Sequence, residues 1–156
     1  MSLEEFKELD ASALPVGKLI SIIARGHNIY LNHNLKDLDI NATQLHLLFE
    51  ISCQSNINQE NIASRCNINK GAVARSIKKL EEKELIVREI DSENRRQNKV
   101  SLTDKGQETL NESVNIFNKW EMEIFSENDL IERETLQKVL KEIAIRTMEL
   151  NQGDNR

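Results

Sequence analysis

The sequence predicts a mainly helical chain with one small β-hairpin, and three observations carry that prediction. One proline, Pro15, and five glycines among 156 residues leave few places where a helix must stop. Apolar residues recur at helical spacing through six segments of the chain. Between residues 85 and 102 that period gives way to two short apolar runs around a polar stretch, the pattern of two strands and a turn.

Taken in order, residues 14–38 place Leu19, Ile20, Ile22, Ile23, Ile29, Tyr30, Leu31, Leu35 and Leu38 around nearly the whole circumference of a helix, so this helix needs cover on several sides. Asn41, with Gln44 three positions on, is an N-cap candidate for a short helix carrying Leu45, Leu48, Phe49 and Ile51. A third short helix begins near Asn58, turns Ile62 and Ala63 inward, and stops around Cys66. Asn69 caps a fourth, running to about Lys83, in which Val73, Ile77 and Leu80 fall at i, i+4 and i+7; Lys70, Arg75, Ser76, Lys78 and Lys79 lie off that seam. Leu85 to Ile90 and Lys99 to Leu102 then form the hairpin. Thr103 or Asp104 opens a long helix with Leu110, Val114, Phe117, Trp120 or Glu121, and Ile124 on one side. A last helix, from about Asp129 to Leu150, is expected to bury Leu136, Val139, Leu140, Ile143 and Met148.

Three short helices followed by a hairpin make a winged helix-turn-helix. The expected organisation is therefore mainly α with a small β-wing: an N-terminal helical region over residues 1–38, a winged lobe over 39–104 and C-terminal helices over 105–156. The flanking helices have little to pack on within one chain except each other. A second copy would cover their apolar sides, so a homodimer built from the two termini is expected, its two lobes related by a two-fold axis.

Composition limits what such a chain does. With 38% hydrophobic and 30% charged residues and no apolar run of about 18, a globular chain outside the membrane is expected. Its acidic start, MSLEEFKELDASALP, has no signal-peptide pattern, which fits a cytoplasmic location. Two cysteines, Cys53 and Cys66, are too few for a disulfide framework. The net charge of −5 hides an uneven distribution: residues 65–105 hold 11 Lys and Arg against 7 Asp and Glu, the rest 10 against 19. A basic centre on acidic arms suits contact with phosphates, although ordinary scatter of surface charge gives the same count. There is no glycine-rich phosphate loop, GxSxG, HExxH or cysteine with an evident base, so an enzyme is not expected.

The stretches NKGAVARSIKKLEEKELI, from Asn69 to Ile86, and DSENRRQNKVSLTDKG, from Asp91 to Gly106, resemble in order and spacing the MarR-type regulators, over nearly the whole chain. The second is the more specific: an acidic residue, paired arginines four positions on, and a strand ending in Leu-Thr-x-x-Gly. The resemblance implies a sequence-specific regulator of transcription that binds double-stranded DNA at a pseudo-palindromic operator, a repressor in most of the family, released by a small ligand. It places Asn69, Lys70, Gly71 and Ala72 at a helix N-terminus entering the major groove, with Arg75 directed at the bases beside Ser76. A guanidinium fork suits two acceptors at once; a solvated Arg75, or one paired with Glu81 or Glu82, is the alternative. Arg95 and Arg96 fall at the wing tip, where the family sets an arginine in the minor groove, and Asp91 is placed to orient them. Lys78, Lys79, Asn98 and Lys99 are candidates for phosphate contact or for plain solvation. Glu84 departs from the family, which commonly has glycine there, and implies about 1 kcal/mol of strain or a differently ended helix.

Members of the family often sense small aromatic or anionic molecules. Arg25, His27 and Tyr30 stand inside the apolar run SIIARGHNIYL and are effector-binding candidates, with contacts to chain carboxylates or water as the alternative. No cofactor is expected. Oxidant sensing by Cys53 or Cys66 is set against an inert, buried role for both thiols. His46 and Glu50, one turn apart, are too few to hold zinc, and His27 and His33 do not share a face. A winged-helix module that docks on proteins, or a metal- or redox-responsive regulator, is the alternative function.

Overall fold

A computed structural model describes residues 2–54, 57–66, 68–90, 98–125 and 132–153. Seven α-helices are described: α1 Leu3–Lys7, α2 Val16–Asn34, α3 Ala42–Cys53, α4 Gln59–Cys66, α5 Lys70–Glu82, α6 Asp104–Phe125 and α7 Arg133–Gly153. Three strands, β1 Ile57–Asn58, β2 Ile86–Ile90 and β3 Asn98–Leu102, form an antiparallel sheet in the order β1-β3-β2. The chain forms two compact units, Met1–Asn118 and Lys119–Arg156.

The first unit holds the core. Leu45, Leu47, Leu48 and Ile51 of α3 are buried with Ile62 of α4, Val73, Ile77 and Leu80 of α5, and Ile86 and Val100 of the sheet. Leu31 and Leu35 from the α2 end and Leu110 from α6 enter the same core, so the unit reaches beyond the 39–104 lobe on both sides. The reason is area: a lobe of this size buries only part of its apolar surface by itself, and these side chains add to the cover.

Local chemistry fixes each boundary. Asn41 and Gln44 make the expected capping box, the Gln44 N–H donating to Asn41 Oδ1 (2.9 Å) and the Asn41 N–H to Gln44 Oε1 (3.1 Å). The Ala42 N–H donates to Asn32 Oδ1 (2.8 Å), fastening α3 to α2. Asn58 Oδ1 accepts from the Asn61 N–H (2.7 Å) at the start of α4. Strand β1, two residues long, has no alternating pattern to betray it; it forms because Ile57 pairs with Val100 and Asn58 with Lys99. The two expected strands pair antiparallel, Ile86 opposite Leu102 and Arg88 opposite Val100.

In the second unit one expectation fails. Val139, Leu140 and Met148 of α7 are 47%, 48% and 59% exposed, not buried: a helical period marks an apolar face and not what covers it. Within that unit Trp120 meets Phe125 edge-on at 6.4 Å, Arg133 pairs with Glu121, and Lys138–Glu134 (2.7 Å) and Arg146–Glu142 (2.8 Å) lace the exposed face of α7. The expected start at Asp129 lies outside the described residues.

Candidate nucleic-acid interface

Helix α5 divides cleanly into a packed and an open side. Val73, Ile77 and Leu80 are fully buried, while Lys70, Gly71, Arg75, Lys78 and Lys79 are exposed and Ala72 and Ser76 are half-buried. Asn69 caps the helix, its Oδ1 accepting from the Gly71 N–H at 2.8 Å. A Cβ added to Gly71 would stand 3.1 Å from that Oδ1 and 3.5 Å from Arg75 Nη1, so the glycine leaves room for the cap and for the guanidinium folded near it. Arg75 makes no ion pair with any described residue, neither with Glu81 nor with Glu82. Those acids are engaged elsewhere: Glu81 with Arg88 of β2, whose guanidinium it holds above the usual range, and Glu82 with Lys78 at 3.8 Å. Lys70 pairs with Glu60 of α4 at 3.4 Å, both side chains well exposed, so water or another anion competes for it readily.

The far end of α5 is locked to the elements that follow. Glu84 adopts φ 61°, the left-handed conformation that glycine adopts at little cost. The Glu84 N–H donates to the Glu81 carbonyl and the Leu85 N–H to the Leu80 carbonyl, both at 2.9 Å, with Leu80 and Leu85 buried. This is the Schellman ending that glycine usually makes. Thr103 Oγ1 donates to the Glu84 carbonyl (2.6 Å) and accepts from the Gly106 N–H (2.9 Å). Lys105 Nζ donates to the Lys83 carbonyl at 2.8 Å. A Cβ on Gly106 would sit 1.9 Å from the Leu85 carbonyl oxygen, so only glycine lets α6 come this close. The Leu-Thr-x-x-Gly signature therefore clamps the end of α5 to the start of α6.

Comparison with known proteins agrees with this geometry. The MarR family model matches residues 40–97, which hold α3, α4, α5 and β2. A MarR crystal structure superposes with a TM-score of 0.84 at 28% identity, covering 92% of this chain and 97% of that one. Residues 40–97 match the MarR family, and the chain has the fold of MarR-type winged-helix regulators. A MarR transcriptional regulator from Methanosarcina mazei Go1 matches with a TM-score of 0.81 at 28% identity over 86% of this chain and 97% of its own. A mutant MarR from E. coli, complexed with operator DNA, gives 0.74 at 25% identity over 86% and 99%. MarR proteins are regulators of transcription rather than enzymes.

Other candidate residues are scattered. Asp91, Arg95 and Arg96 lie outside the described residues; Asn98, exposed opposite Ile90, opens the returning strand. His27 stacks edge-on against Phe117 (5.4 Å), which meets Phe49 (5.5 Å), and Tyr30 packs against the core one turn on. Arg25 is exposed, about 200° around the helix from His27, so the three do not converge on one point. Cys53 is exposed, against expectation, because it ends α3 past the last buried turn at Ile51. Cys66 is half-buried, and burial raises its thiol above the ordinary range, which opposes reactivity. Glu50 is held by Arg65 at 2.6 Å, and His46 is pushed below its usual range by burial; the described residues contain no cluster of three metal-binding side chains. No helix among the described residues is long and apolar enough to cross a membrane. Sequence reasoning missed the Arg88–Glu81 pair and the clamp between α5 and α6, since neither spacing nor period marks contacts 7 to 22 residues apart.

Proposed function

We propose that the chain is a sequence-specific regulator of transcription that binds duplex DNA as a homodimer, with α5 in the major groove and Arg95 and Arg96 on the neighbouring minor groove. The observation that carries this reading is α5 itself: a capped N-terminus, small Gly71 and Ala72 beside it, and on the open face an Arg75 guanidinium without an acidic partner among the described residues. That is the disposition a groove-reading helix needs. The E. coli MarR relative, solved with operator DNA, supports it.

The dimer is supported by apolar side chains left open on α2, where Val16, Ile23 and Ile29 are 63%, 58% and 65% exposed, and on α7. Surfaces of this kind are covered in solution more often than not. Repression relieved by a small aromatic or anionic ligand, contacted by His27 and Tyr30 on one side of α2 or by Arg25 on the other, and a cytoplasmic location complete the proposal. Selection of bound fragments from the source genome tests it. A pseudo-palindrome with half-sites one or two helical turns apart is the expected product; fragments with no shared element would favour a protein-docking role instead.

A further inference from the structure

A cleft of about 290 Å³ lies between the end of α2, the start of α3 and the last turns of α5, away from the exposed N-terminal turn of α5. Lys36, Lys79 and Lys83 line it together with Asp39, Asn41 and Gln44. Three ammonium groups face one carboxylate there. Lys83 is satisfied: its Nζ lies 3.2 Å from Asp39 Oδ2 and donates to the Asp39 carbonyl. Lys36 and Lys79 have no carboxylate partner among the described residues, so two positive charges in one small cleft lack a counter-charge.

Gln44 adds a second, independent feature. It is 2% exposed, and its Oε1 is committed to the Asn41 N–H. Its Nε2 group donates to no described residue and stays open to a ligand or to water. Ile40 is the one apolar residue in the lining, and the volume is at the low end for ligand sites. A compact, highly charged ligand fits these walls better than an aromatic one. The positive end of the α3 dipole adds to the field.

We infer that this cleft binds a small phosphate-type oxyanion between Lys36, Lys79 and Lys83, with the Gln44 amide as a neutral donor. The occupant would bridge α5 to the α2–α3 junction. The inference does not depend on DNA binding, because the ligand is bound by the free protein. The same lysine chemistry would also suit a phosphate of the DNA backbone, and the test separates the two sources.

Inorganic pyrophosphate is titrated into the full chain by calorimetry, without DNA and at matched ionic strength. Saturable binding of one anion per chain is expected, weakened about tenfold by Lys36→Ala, the loss of one charge-assisted contact. Gln44→Glu keeps an acceptor for the Asn41 N–H but replaces the donor with a carboxylate, and should abolish binding while the thermal midpoint stays within a few degrees. Lys18→Ala, outside both the cleft and the α5 face, should leave pyrophosphate binding unchanged. Absence of saturable binding would overturn the inference, as would equal weakening by Lys18→Ala. So would Lys36→Ala weakening DNA binding while pyrophosphate fails to bind, which assigns the cleft to the DNA backbone. Should Gln44→Glu disturb the fold, Lys36→Ala at an exposed position carries the test alone.

Discussion

Three single residues do most of the positioning, and each makes a separate prediction. Gly106 permits an approach in which a methyl group would stand 1.9 Å from the Leu85 carbonyl oxygen. Gly106→Ala must therefore push α6 off the α5 turn, and urea unfolding should register a loss of about 3 kcal/mol. Glu84 works in the opposite direction. Its φ of 61° strains a residue with a Cβ, and its contact with Lys105, at 3.9 Å between exposed side chains, returns little. Glu84→Gly should stabilise the chain by about 1 kcal/mol, read as a higher thermal midpoint with unchanged DNA affinity. Arg75 has no ion-pair partner among the described residues, so Arg75→Ala should leave the thermal midpoint in place and weaken operator binding about tenfold or more in a mobility-shift titration.

At the scale of elements, the caps and turns decide where helices begin and end. Asn41→Ala removes the side-chain half of the capping box at α3 and should cost about 1 kcal/mol in chemical denaturation, most of which Asn41→Ser restores. This cap was legible in the sequence, as were the seam of Val73, Ile77 and Leu80 and the hairpin, because each is written in residues within one turn or one strand. The Glu84 position was legible in part: the resemblance left strain or a differently ended helix open, and φ 61° decides for strain. Strand β1 was not, since two residues carry no period and Ile57 is ordered only by Val100, far along the chain. The Arg88–Glu81 pair and the clamp through Thr103 and Lys105 were hidden for the same reason. The mistaken burial of Val139, Leu140 and Met148 has a different origin. Periodicity reports which face of a helix is apolar, and not whether the cover comes from the same chain.

For the whole molecule, the account rests on two claims about surfaces. The apolar faces of α2 and α7 are to be covered by a second copy, so the wild type should sediment as a dimer at micromolar concentration and melt at higher temperature as concentration rises. Ile23→Asp, on the open side of α2, should shift it toward monomer. The basic centre is the other surface: 11 Lys and Arg against 7 Asp and Glu over residues 65–105, inside a chain of net charge −5. An acidic protein that binds DNA must do so through this local charge, and counterion release makes such binding fall steeply with salt. The most direct test is the affinity for a selected operator fragment measured between 50 and 200 mM salt. A dimer making several phosphate contacts predicts a fall of about a thousandfold, with a shallower slope for Lys70→Ala; retention of the fragment at neither salt, or binding indifferent to salt, would contradict the account.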